Sequence, residues 1–280
     1  MKDKDIDMKK RLFAKINIIV FCLVTILLEV IHITYINDEF QNRMLSKVIQ
    51  QIFGVAAVVL LMVQARIRLF NKPQGWLYLI PCIIIAVDNF PFWSYFSGNM
   101  QIVKEQPLDF ILFGVNCLAT GLFEECIFRG IIFAVLAGCF SQDKKGFIQT
   151  YLVSSLIFGG AHLFNVFAGA GIGATVLQVA YTILTGGLFA FCLIKTKNIL
   201  CCAFIHALYN FCGLLLSEQG LGTGIVFDMG TVIMMTVISV IVGIYVLYKV
   251  FTYSEAEMAC LYEKLGVSKQ NKEDGQEKLA

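Results

Sequence analysis

Three stretches of the chain carry residues that can do chemistry where chemistry is costly. The first is "GLFEECIFRGIIF", residues 121 to 133, which places Glu124, Glu125 and Arg129 inside an otherwise apolar run. Glu125 and Arg129 are four apart, with the glutamate on the N-terminal side, so on a helix they share a face and pair. Glu124 is rotated by about 100° from its neighbour and is left over by that pairing. The doublet therefore predicts a division of labour, with Glu125 held by Arg129 and Glu124 available. A charge at the centre of a bilayer costs about 2.5–3.5 kcal/mol on the insertion scale; the pair offsets this for Glu125 but gives no reason for Glu124.

The other two stretches hold histidine. His162 occurs in "SSLIFGGAHLFN", with Phe158 one turn earlier and Gly159–Gly160 allowing close backbone approach. His206 occurs in "CCAFIHALYNF", with Asn210 at i+4 on the same face. Counted at 1.5 Å per residue from the span ends, Glu124, His162 and Asn210 lie about 18–24 Å deep and His206 about 12 Å. Three helices can thus bring these groups into one polar cavity. There Glu124 would deprotonate a water that His162 positions, and His206 and Asn210 would donate hydrogen bonds to a developing oxyanion.

What must position these groups follows from composition. Hydrophobic residues make up 58% of the 280 and charged residues 15%, against about 25% charged in soluble domains. The continuous apolar runs predict an all-α, polytopic transmembrane helical bundle. Eight spans are expected, near 16–36, 48–65, 76–89, 108–139, 147–165, 174–194, 199–216 and 229–248. The third is short and interrupted by Pro81, Asp88 and Pro91; the fourth is long enough to require tilt or a break. Eighteen Lys and Arg fall in the leader, in alternate loops and after the last span, against three on the other side. The positive-inside rule then places both termini in the cytoplasm. The first run follows a charged leader without a small-residue cleavage pattern, so it is expected to stay in the membrane.

Residues 1–251 form one membrane domain, with the polar-bearing core at about 108–216, and residues 252–280 a polar cytoplasmic tail. In that tail "EAEMACLYEKLG" can form one or two amphipathic turns. The net charge of +2 is spread among short loops and points to no nucleic acid. Nine of the ten cysteines fall in spans and Cys260 in the tail, the placement of small apolar residues rather than of disulfides.

The motifs resemble the CAAX-protease and bacteriocin-processing (CPBP, or Abi) intramembrane proteases. "EECIFR" matches that family's EExxxR, "FGGAH" its FxxxH and "HALYN" its HxxxN, in order, across about 90 residues. The resemblance implies a bundle of helices with endopeptidase activity and an active constellation of Glu124, Glu125, Arg129, His162, His206 and Asn210. Members are classed as metalloproteases, yet the chain has no HExxH. The residues suit a metal-free, Glu-activated water or a zinc ion held by Glu124, His162 and His206. The expected partner is a membrane-associated or lipid-linked peptide in the bilayer, and the expected setting a bacterial plasma membrane. The substrate classes are a secreted peptide, a pheromone or bacteriocin precursor, or a CAAX-type end. The alternative is a non-catalytic immunity or sensor-partner protein on the same scaffold.

Other polar features have plainer readings. Glu29 and His32 form an i,i+3 pair near the end of the first span. Asp109 stands at the start of the fourth span, where a helix N-terminus favours negative charge. "NFPFWSYF" reads as an interfacial aromatic belt, and Gly186–Gly187 as packing.

Overall fold

A computed structural model of the chain describes residues 33–167, 169–224 and 228–267, with Ile16, Ile19, Val20, Leu23, Val24 and Leu27 of the preceding run. The first expected span and the Glu29–His32 pair therefore lie largely outside the described residues. The remainder is a helical bundle. Helix α1 spans Glu39–Gln64, α2 Leu79–Asp88 (preceded by a 3-10 turn, Trp76–Tyr78) and α3 Phe92–Phe96. A continuous rod follows: α4 (Pro107–Glu125), a π-helical stretch (Cys126–Ile132) and α5 (Phe133–Cys139). Then come α6 (Lys144–Ala161) with a 3-10 turn (His162–Val166), α7 (Ile172–Thr196), α8 (Ile199–Leu214), α9 (Met229–Phe251) and α10 (Glu255–Lys264). Two three-residue strands, β1 (Met100–Ile102) and β2 (Gly222–Gly224), pair antiparallel.

The helix starts are legible in local chemistry. The side chains of Asp38, Asp143, Asn198 and Asp228 each accept a backbone N–H from the first turn of α1, α6, α8 and α9, satisfying a donor that the helix leaves orphaned. Pro107 occupies the first turn of α4, where its missing N–H costs nothing. Among the described residues four helices are long and apolar enough to cross a membrane: Glu39–Gln64, Lys144–Val166, Ile172–Thr196 and Met229–Phe251. Trp76–Asp88 and Ile199–Leu214 are apolar but shorter. The chain is thus an all-α helical membrane bundle.

Loops gather at two ends. At one, β1 and β2 pair, Gln41 donates to Asp109 at 2.8 Å, and Val103 N–H to the Leu221 carbonyl at 2.8 Å. At the other, Arg68 N–H donates to the Lys264 carbonyl, Gln74 N–H to the Thr196 carbonyl, and Lys144 to the Tyr253 carbonyl at 2.6 Å. The second end collects the segments around 66–75, 140–146, 195–198 and beyond 249, the described Lys- and Arg-rich ones; it is called the basic end below.

The structure departs from the sequence reading at the C-terminal segment, and it gives the long fourth span as one unbroken rod. The stretch after Thr252 was expected to be a polar tail with a turn or two of helix, but Ser254 and Glu257 form a reciprocal capping box that starts ten residues of α10. Its Met258, Leu261 and Tyr262 are buried in the main core, because their i, i+3, i+4 spacing makes one apolar face. The rod from Pro107 to Cys139 is about 50 Å long at 1.5 Å per residue, longer than a hydrocarbon core of about 30 Å. It is widened rather than broken, by the π turn.

Candidate active site

The site is assembled where α4 packs against α8 and α6 against α7, two of the most extensive helix pairings in the bundle. The first pairing depends on Gly121. A Cβ there would lie 2.6 Å from the Ala203 carbonyl oxygen and 3.0 Å from the Ala207 nitrogen, so only glycine lets the backbones approach this closely. Glu124 and Glu125 follow one turn later, directly opposite His206. The second pairing depends on Gly159, whose Cβ would meet the Ile183 backbone nitrogen at 2.9 Å; Gly160, by contrast, faces open space.

His206 links the carboxylates. Its Nδ1 lies 2.8 Å from Glu125 Oε1, and its Nε2 3.8 Å from Glu124 Oε2. An ionised carboxylate only accepts, so Nδ1 carries the hydrogen towards Glu125 and Nε2 is the nitrogen that faces Glu124. The second distance exceeds a direct hydrogen bond and suits a water that contacts both groups. The two glutamates differ in access: the Glu125 side chain is fully buried and that of Glu124 is 28% exposed.

Arg129 underpins Glu125. Its Nε lies 3.2 Å from Glu125 Oε2, an ion pair whose angles fall short of a hydrogen bond. Nη2 donates to the Gly186 carbonyl at 2.9 Å, using the second lone pair of a helix carbonyl. The guanidinium carbon stands 4.2 Å from the centre of the Phe158 ring and 5.4 Å from that of Phe189, within cation–π range. Arg129 sits in the π turn, a wide turn of the kind found mostly at functional sites. The expected 100° between the two glutamates is unaffected, since both precede that turn.

Two phenylalanines complete the arrangement. Phe189 stacks on His206 (centroids 4.6 Å apart, planes 19° apart), and Phe158 meets the same imidazole edge-on at 5.8 Å. Phe158 also meets His162 edge-on at 5.3 Å. His162 ends α6, half-buried, with Nδ1 3.0 Å from the Phe158 carbonyl oxygen; a carbonyl only accepts, so Nε2 is left as the acceptor. Asn210 lies one turn beyond His206 on α8, half-buried, with no side-chain hydrogen bond to the described residues.

The structure therefore brings Glu124, Glu125, Arg129 and His206 into direct contact and joins His162 to them through Phe158. Phe189 and Gly186 were not among the expected site residues. "TGGLFAF" gives no chemical signal, because their roles depend on α7 lying against Arg129 and His206. His206 and Glu124 meet although they lie at different counts from their helix ends, because the long α4–α5 rod extends beyond the shorter α8 at the basic end. Among the described residues no three His, Cys, Asp or Glu side chains are grouped so as to hold one ion; His162 turns Nδ1 to its own helix and leaves Nε2 free.

Residues 106–212 match the family model described as Type II CAAX prenyl endopeptidase Rce1-like. CAAX prenyl protease 2 of Saccharomyces cerevisiae is 27% identical over 108 residues, covering 35% of this chain and 34% of that protein. The chain thus spans about a third of the length of the curated relative it matches. No solved structure matches it significantly. The matched segment contains all six motif residues: Glu124 and Glu125 on α4, Arg129 in the π turn, His162 at the end of α6, and His206 and Asn210 on α8. Over that segment the chain is similar to the Rce1-like family of Type II CAAX prenyl endopeptidases.

Proposed function

We propose that the chain is an intramembrane endopeptidase that hydrolyses a peptide bond of a membrane-associated or lipid-linked peptide. The observation that carries this reading is the imidazole of His206 between a buried, Arg-paired carboxylate and a partly exposed one. Glu124, the accessible carboxylate, takes a proton from a water as the water oxygen attacks the scissile carbonyl carbon. The C–N bond breaks as Glu124 returns that proton to the leaving nitrogen. His162, with its free Nε2, accepts a hydrogen bond from the same water and orients it. Asn210 donates to the oxyanion, as does His206 when Nε2 carries a proton. Glu125 and Arg129 act behind the reacting atoms by fixing the imidazole.

The family match and the name of the yeast relative support a CAAX-type end as one substrate class; precursors of secreted peptides, pheromones or bacteriocins are the others. With the basic end in the cytoplasm of a bacterial cell, both termini face inwards.

The test is mass-spectrometric peptidomics of host cells and medium, comparing wild type with Glu124→Gln at matched protein levels. Proteolysis predicts peptides that vanish in the variant while their precursors accumulate. Identical profiles, with a deletion strain still showing a phenotype, would instead favour the non-catalytic partner protein.

A further inference from the structure

At the basic end, a cavity of about 490 Å³ opens between the 3-10 turn before α2 and the last turns of α9, lined by Gly75, Trp76, Leu77, Tyr78, Tyr245 and Lys249. Trp76 and Leu77 are more than half exposed, and Tyr245 and Tyr248 are exposed beside them. Aromatic side chains at the ends of membrane helices mark the level of the lipid headgroups. The cavity therefore faces the headgroup layer rather than the bundle interior.

Its charge is not balanced from within. The Nζ of Lys249 stands 6.0, 5.8 and 5.6 Å from the ring centres of Tyr78, Tyr245 and Tyr248. Lys195, almost fully buried and outside the cavity lining, has its Nζ 4.9 Å from the same Tyr78 ring. Lys195 has a carboxylate, Glu257, at 3.4 Å; the other oxygen of Glu257 is taken by the Ser254 backbone and hydroxyl. Lys197 is turned to Gln74 at 3.1 Å. Among the described residues no carboxylate pairs with Lys249. One aromatic ring is thus shared by two ammonium groups, and only one of them has a counter-charge.

We infer that this cavity is a binding site for the headgroup of an anionic phospholipid. The phosphodiester would lie against Lys249, with the hydroxyls of Tyr245 and Tyr78 as further donors. Glycerol and the first acyl methylenes would cover Trp76 and Leu77. Those apolar walls favour a lipid over free phosphate, which has nothing to place against them. The inference is independent of the reaction proposed for the Glu124 site.

The experiment is native mass spectrometry and thermal unfolding of the full chain, released from nanodiscs of phosphatidylcholine with or without phosphatidylglycerol. Wild type should retain one phosphatidylglycerol in preference to phosphatidylcholine and unfold at a higher temperature with it. Lys249→Ala should lower that retention about fivefold, the equivalent of one lysine–headgroup contact, and Lys249→Arg should restore it. Lys145→Ala, an exposed basic position at the same end, should change nothing. Inorganic phosphate protecting as well as the lipid would overturn the lipid assignment. Equal retention of the two lipids by wild type, or equal loss in Lys145→Ala, would overturn the site.

Discussion

His206 commits its Nδ1 to the buried carboxylate of Glu125 at 2.8 Å, so the ring can present only Nε2 to the open side of the site. A metal-ligating or catalytic imidazole needs such a fixed tautomer and orientation, and a buried carboxylate supplies both. Under the proposed function, one of the two adjacent glutamates orients the imidazole and the other reacts, a division that would justify the cost of both in a membrane helix.

That division predicts opposite behaviour for neighbouring substitutions. Glu124→Gln should fold with normal yield and lose cleavage by about 10²–10⁴-fold, the contribution of a general base. Arg129→Ala leaves the Glu125 charge buried without its partner, a loss of about 3–5 kcal/mol, and should appear mainly as low folded yield. Detergent-solubilised yield and unfolding temperature, measured beside single-substrate cleavage, separate the two. Normal yield with no cleavage in both variants would defeat this division of labour.

Phe189→Leu tests the stacked ring. The substitution keeps an apolar side chain in a buried position but removes the face that lies on His206, an interaction worth about 0.5–1.5 kcal/mol. We expect kcat to fall up to about tenfold, with KM little changed. A rise in KM alone would mean that Phe189 meets the substrate rather than the imidazole.

Gly121→Ala should impair activity without touching a reacting group. The added Cβ meets the Ala203 carbonyl at 2.6 Å, and backbone cannot rotate aside, so α8 must shift at a cost of about 1–3 kcal/mol. That shift carries His206 away from Glu125. Gly160→Ala, whose Cβ has open space, serves as the comparison and should match wild type in both cleavage and unfolding temperature.

Asp143 gives a pH dependence at the basic end. The Gly146 backbone N–H first, and the Ser141 hydroxyl second, hold its carboxyl below the usual carboxylate range. A carboxyl depressed in the folded state contributes stability that is present above its unfolded pKa and lost as pH falls through the folded value. Between about pH 5 and pH 3, wild type should therefore lose unfolding temperature relative to Asp143→Asn, which keeps the cap without titrating. A constant difference across that range would remove Asp143 from the pH response.

The sequence by itself determined the class of the fold and the residue types of the site. Continuous apolar runs in a chain with few charges leave helices as the spanning elements, and capping side chains fix where many of them begin. Charges as costly as Glu124, Glu125 and Arg129 stand out against such a background, and i,i+4 spacing already pairs Glu125 with Arg129, because both effects are local. What only the tertiary structure decided is how separate helices meet. His206 sits between the two glutamates because Gly121 lets α8 close on α4, and Phe189 and the Gly186 carbonyl join because α7 packs behind them. The packing of α10 into the core and the π turn at Arg129 also escaped local reading. Each depends on which face of one helix finds another, and a periodic apolar sequence specifies that a face exists without naming its neighbour.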